Sequence, residues 1–284
     1  MSSVAAAPQT GKMPQPRREL ADTFRHRGVA RAYGCRPAYP TEAIDVLSSL
    51  IVGDPRVVLD LGAGDGSLSR PLSVRVDHVH AVEPSAAMVD AGRAMADDSR
   101  QNISWFVEPA EKFSCAGPVG LAVAGASMHW FDLPVVCRRL ATVMAPGAQL
   151  AVCDRSATCA GLEELAPVIR RYSRSPDYDP SYSVIDDLQG RGLWHQTGHH
   201  ATGPVVFRQA VDDFVESLHS TASLARELME LGEYRSFDAE VCDILMPLAD
   251  GDHQLRLSLT STIAWGPLAM APSSRESSPD GSTR

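Results

Sequence analysis

The run Val57-Val58-Leu59-Asp60-Leu61, followed by Gly62-Ala63-Gly64-Asp65-Gly66-Ser67, constrains this chain more than any other segment. An apolar stretch that ends in an acid and three alternating glycines describes a buried strand turning sharply into a helix. The glycines reach backbone angles closed to other residues and leave no Cβ to hold a ligand off the main chain. Such a turn suits a nucleotide-like ligand. About twenty residues on, His78-Val79-His80-Ala81-Val82-Glu83-Pro84-Ser85 predicts a second strand that delivers an acid at its C-terminal end, where one carboxylate could accept from both hydroxyls of a ribose. The glycine spacing is G-x-G-x-G rather than the G-x-G-x-x-G of a dinucleotide loop, and Asp65 within the turn would repel a diphosphate. The pattern therefore favours a ligand with ammonium and sulfonium centres over one with a pyrophosphate.

In these residues the sequence resembles the class I S-adenosylmethionine-dependent methyltransferases, whose first motif is similar to Leu59–Gly66 and whose second ends like Glu83-Pro84-Ser85. Ile103–Phe113 is similar to the family's third strand and adenine-side turn, although Glu108 and Pro109 stand where a small or flexible residue is usual. Leu121–Asp132, with its His129-Trp130-Phe131-Asp132 signature, resembles the fourth strand and following loop of the trans-aconitate and ubiquinone/menaquinone type branch. Tyr33-Gly34-Cys35-Arg36-Pro37-Ala38-Tyr39-Pro40 is similar to the Y-x-x-R-P-x-Y-P segment that opens the same branch. The resemblance implies S-adenosylmethionine as cofactor, a small-molecule acceptor, and cofactor contacts from Tyr33, Arg36, Asp60, Gly62, Ala63, Gly64, Glu83, Pro84, Met88, Ala110, Glu111 and Ala126.

Composition narrows the remaining classes. A formal net charge of −9 argues against nucleic acid as substrate, because affinity for phosphates needs a basic surface. No apolar run approaches a membrane span or the core of a signal peptide. Cys35, Cys115, Cys137, Cys153, Cys159 and Cys242 form no C-x-x-C pair, so they read as reduced thiols of a cytoplasmic protein rather than as a zinc site or a disulfide framework. Oligomeric state is not legible. At 284 residues a single core is the default, with a methyltransferase domain over residues 17–271 and disordered tails at 1–16 and 272–284.

Strands at 56–61, 78–85, 103–107, 119–124 and 149–154, separated by helices, predict right-handed parallel crossovers. The fold class expected is α/β: a doubly wound, seven-stranded, mostly parallel Rossmann-like sheet with helices on both faces. Thr41 is expected to cap a helix running to Leu50, and Ser85 one running to Ala96. Past the fifth strand the rhythm changes. Helices are expected at 161–173 and 211–231, and two final strands at 205–209 and 255–265. Residues 160–204 read as a lid or insertion, the part after Ser175 without a clear period.

Several candidate residues admit two roles. Asp60 could brace the glycine turn or act near the ligand's amino group, and Arg36 could be a surface residue or, by the resemblance, the partner of the methionine carboxylate. His129, just past the fourth strand, could brace its loop or act as the catalytic general base. Trp130 reads as a wall of the adenine or acceptor pocket. Tyr172, Tyr178, Tyr182 and Trp194 could line the acceptor cavity or pack the lid. His195, His199 and His200 lie close in sequence, but Gly198 interrupts them and no carboxylate accompanies them at helical spacing, so no metal is expected. The functional expectation is methyl transfer to a C, N or O nucleophile, in secondary metabolism. The alternatives are a cofactor-binding cyclase-type enzyme and a non-enzymatic cofactor sensor.

Overall fold

The computed structural model describes residues 20–95, 102–175 and 182–269; the tails expected at 1–16 and 272–284, and Tyr178, lie outside them. A 3-10 turn, Asp22–Arg25, leads into helices α1 (Arg27–Tyr33) and α2 (Thr41–Ser49). The chain then runs through β1 (Val57–Leu61), α3 (Ser69–Ser73), β2 (His78–Val82), α4 (Ala86–Ala94), β3 (Ile103–Phe106), β4 (Val119–Gly125), α5 (Leu133–Leu140) and β5 (Met144–Thr158). It continues with α6 (Leu162–Tyr172), α7 (Val184–Gly190), β6 (Gly198–Ala201), β7 (Val205–Ala210), α8 (Val211–His219), α9 (Leu231–Leu245) and β8 (Gln254–Gly266).

Strands β3-β2-β1-β4-β5 lie side by side in parallel. β8 adds to β5 antiparallel, and β6 and β7 pair antiparallel with successive stretches of β8. The order reverses at β1, whose neighbours are β2 and β4, and an open α/β sheet binds ligands at the carboxyl ends of its strands at such a point. β1 is buried along its whole length, as an apolar run covered on both faces must be. Leu59 and Leu61 pack with Phe113, Val136 and Leu140 on one face, and Val58 packs with Ile44, Leu47 and Leu72 on the other. A third cluster, around Leu165, Phe214, Phe237, Val241 and Leu257, joins α6, α8 and α9 to β8.

The described sheet has eight strands, one more than expected. The additional one is β6, which lies inside the segment that showed no period and which takes its register from β8. The expected helix 211–231 ends at His219: Ser220 is its C-cap and Thr221 turns extended, and the Arg36 guanidinium holds that end, Nη2 donating to the Ser220 carbonyl at 3.0 Å and Nε to the Ser220 Oγ at 2.6 Å. Helix α9 was not foreseen, although its capping box, Glu230 with Glu233, and its apolar Phe237, Val241 and Leu245 at i, i+4 spacing are present in the sequence. Pro40, not Thr41, occupies the cap position of α2. The Pro146-Gly147 turn survives as an outward loop within β5: Val119 pairs with Met144, but Leu121 pairs with Gln149.

Candidate active site

The site begins where β1 ends. Gly62, Gly64 and Gly66 have φ of 66°, 58° and 83°, so the turn passes three times through the left-handed region. At Gly62 there is also no room for a side chain: a Cβ would stand 2.6 Å from the Cβ of Ser127. That contact carries the loop after β4 against the loop after β1, and Ser127 Oγ holds it by donating to the Leu61 carbonyl at 2.7 Å.

Glu83 is delivered by β2 into the same corner. Its Oε2 accepts from the Gly64 N–H and its Oε1 from the Ser85 N–H, both at 2.9 Å. Each oxygen keeps a further lone pair, the geometry a vicinal diol needs. Burial pushes this carboxyl up to about 7; the two backbone donors oppose the rise, and the nearby Asp60 and Asp65 add to it. Asp60 is itself moved by burial to about 6, against a 2.6 Å hydrogen bond from Ser69 Oγ. Three acids thus crowd one turn, and the ionised form of Glu83 lacks a partner as strong as its burial requires.

Glu83 lines a cavity of about 470 Å³ together with Gly62, Gly64, Pro84, Met88 and Ala110, within the range of small-molecule sites. Tyr33, Glu111, Ala126 and Trp130 also reach it. Glu111 Oε1 accepts from the Asp132 N–H at 2.8 Å and so fixes the start of α5. Phe24 and Phe131 are among the contributors that were not foreseen. Phe24 arrives from the 3-10 turn before α1, its ring edge-on to Trp130 at 5.7 Å, and its carbonyl accepts from Ser85 Oγ at 2.7 Å. Ser85 therefore has two tasks, since its Oγ also caps α4 by accepting from the Met88 N–H at 3.2 Å.

A second cavity, of about 680 Å³, adjoins the first: Ala126 and Ser127 line both. Ala126 has φ of 50°, an uncommon conformation for a residue with a Cβ, and its N–H donates to the Cys153 carbonyl at 2.8 Å. His129, Tyr182 and His199 line this larger cavity, along with Gln196, Asp154 and Thr262, which were not singled out for it. Asp154 obeys the rule that selected Glu83, an acid after an apolar parallel strand, so a signal for it existed.

Other expected site residues stand elsewhere. Arg36 lines neither cavity; it caps α8 through Ser220 and lies over the Tyr33 ring at 4.3 Å. Asp60 and Ala63 sit behind the glycine turn, Asp60 as its brace. Asp65 does not face a ligand either: it is buried, accepts from Ser67 Oγ at 2.6 Å and pairs with Arg70. Tyr172 belongs to the third core cluster and donates to Glu240 at 2.8 Å. Trp194 is fully buried and its Nε1 bridges the Leu150 and Gly266 carbonyls at 3.2 and 3.0 Å, tying β5 to the end of β8. His200 pairs with Glu42 at 2.8 Å, and no group of three metal-ligating side chains occurs among the described residues.

Fold and site together resemble those of a class I, S-adenosylmethionine-dependent methyltransferase domain. Comparison with known proteins agrees: residues 58–147 match the family model described as a methyltransferase domain. An uncharacterized methyltransferase of Mycobacterium tuberculosis (strain ATCC 25618 / H37Rv) is 32% identical over 157 residues, which are 55% of this chain and 62% of that protein. A protein of Saccharomyces cerevisiae named as an S-adenosylmethionine-dependent methyltransferase is 21% identical over 113 residues, 38% of this chain and 39% of its own. The chain thus spans less than two thirds of the curated relatives it matches. Among solved structures, one designated a type II methyltransferase from Anaeromyxobacter dehalogenans superposes with a TM-score of 0.61 at 21% identity, over 82% of this chain and 97% of that one, and shares the fold. The cofactor of this class is S-adenosylmethionine, and the smaller cavity fits it: a diol-accepting carboxylate, a turn with no side chains in the way, and an aromatic and apolar wall.

Proposed function

We propose that this chain transfers the methyl group of S-adenosylmethionine to a small-molecule C, N or O nucleophile, in a biosynthetic step of secondary metabolism in the cytoplasm. The observation that carries the reading is the pair of cavities that meet at Ala126 and Ser127, at the carboxyl ends of the parallel strands. Bound, the cofactor supplies a methyl group on a sulfonium, a leaving group that needs no further activation. The chain's own work is then alignment and exclusion of water.

In this reading Glu83 accepts the ribose hydroxyls, while the main chain at Gly62 and Gly64 lets the ligand approach closely. Met88, Ala110 and Trp130 cover the base. His129 faces the acceptor cavity from the turn after β4, its ring 4.7 Å from that of Trp130, where it orients the loop or takes a proton from the acceptor. No helix among the described residues is long and apolar enough to cross a membrane.

Calorimetry tests the cofactor half of the proposal. S-adenosylhomocysteine is expected to bind at micromolar level, about −8 kcal/mol, and NAD more weakly. Tighter binding of NAD would overturn it. Transfer of labelled methyl from S-adenosylmethionine into a metabolite extract tests the other half, and cofactor binding without any labelled product would refute the catalytic reading.

A further inference from the structure

We propose that the larger cavity selects an acceptor bearing a protonated amine, gripped by the carboxylate of Asp154, and discriminates against carboxylate-bearing acceptors; this rests on reading that cavity as the acceptor site. Its floor is a patch of three strands. Asp154 on β5 stands opposite Thr262 on β8, and in the neighbouring row Val152 stands opposite Ala264, which pairs in turn with His199 on β6. The first residues of α7, Val184 and Ile185, close the space from the other side. Because the Ala126 N–H is bonded to the Cys153 carbonyl, Asp154 lies at the end of the floor nearest the wall shared with the cofactor cavity. A group held there is next to the junction.

The lining is one-sided in charge. Among its described residues there is no Lys or Arg, and Asp154 is the one carboxylate; His129 and His199 are the basic side chains present. Asp154 is open to the cavity, and its Oδ1 accepts from its neighbour's backbone, the Arg155 N–H, at 2.8 Å. Two guanidiniums stand behind it, but both are engaged elsewhere: Arg155 Nη1 donates to the Pro37 carbonyl at 2.5 Å and lies over Tyr39, and Arg36 is bonded to Ser220. Burial raises the Asp154 carboxyl in spite of both. The charge is under-compensated in the free protein, so a cation completes it and a second anion would be repelled.

Matched fragments test this. Tyramine and 4-hydroxyphenylacetate share a phenol ring and differ in carrying an ammonium or a carboxylate. Their affinities are to be measured by ligand-detected NMR on ligand-free protein and again with saturating S-adenosylhomocysteine, for the parent chain and for Asp154→Asn. Asn keeps the acceptor for the Arg155 N–H, so circular dichroism and melting should match the parent. The expected result is that the parent binds the amine at least about 10-fold more tightly than the carboxylate, and that Asp154→Asn loses about 10-fold or more in amine affinity while its carboxylate affinity rises. Equal affinities, a preference for the carboxylate, an unchanged amine affinity in Asp154→Asn, or no binding of either fragment would overturn the proposal. Calorimetry with S-adenosylhomocysteine on both proteins separates the two readings: loss of cofactor binding sinks the methyl-transfer proposal, whereas the amine preference is read independently on ligand-free protein.

Discussion

Cofactor binding is expected to release a proton near pH 6, and Glu83 is its source. In the free protein burial moves this carboxyl from 4.5 to about 7, worth about 3 kcal/mol against the ionised form. Because the folded value is raised, its contribution to stability is fully present below pH 4.5 and is lost as pH rises through about 7. Asp60 acts in the same sense between 3.8 and about 6, but it sits behind the turn and lines neither cavity. A ribose diol donates to the ionised carboxylate and holds it in that form, so affinity should fall as pH drops. From pH 7.5 to 5.5 the Kd for S-adenosylhomocysteine should rise about 25-fold, and binding at pH 6 should expel about 0.9 proton. Calorimetry in two buffers of different ionisation enthalpy measures that proton directly. The ligand-induced rise in Tm should correspondingly be larger at pH 8 than at pH 5.5, and Glu83→Ala should abolish the pH dependence while weakening binding. A flat Kd between pH 5.5 and 7.5 with no proton released would show that Glu83 does not receive the ribose.

Gly62→Ala should cost about 3 kcal/mol of stability by chemical denaturation, from the left-handed backbone and the collision with Ser127, and should lower cofactor affinity too. Phe24→Ala removes a wall of the smaller cavity and the edge contact with Trp130; S-adenosylhomocysteine should bind about 1 to 2 kcal/mol more weakly by calorimetry, with little change in melting of the free protein. Trp194→Phe leaves the Leu150 and Gly266 carbonyls without their indole donor and should cost about 1 to 2 kcal/mol in a urea titration, while Kd for the cofactor stays at the parent value.

What was legible in the sequence is what the local backbone dictates. Gly62, Gly64 and Glu83 meet across one turn, and the run of β1 and the cap at Ser85 follow from neighbours a few residues away. The residues that moved from their expected roles have partners chosen by distant chain. Arg36 finds Ser220 at a separation of 184 residues, and Tyr172 finds Glu240 at 68. Trp194 reaches a carbonyl on β5 and another at the end of β8. An arginine near a motif looks the same in sequence whether it grips a ligand or caps a helix. The same holds for β6, whose His199-His200 stretch becomes a strand because β8 offers it a ladder and not because of any pattern of its own. Helix α9 is different in kind: its caps and period were there to be read.

β8 reaches its place by lying between β5 on one side and β6 and β7 on the other. During synthesis the parallel strands, the glycine turn and Glu83 all leave the ribosome before residue 160, so the cofactor cavity can assemble early. The floor of the larger cavity cannot: until β8 has been made, β6 and β7 have no partner in the sheet and the far edge of β5 stays unpaired. A chain at that stage carries the residues that line the smaller cavity but not the floor of the larger one, with a strand edge left open for as long as it takes to add about a hundred residues, roughly 5 to 20 seconds at about 5 to 20 residues per second.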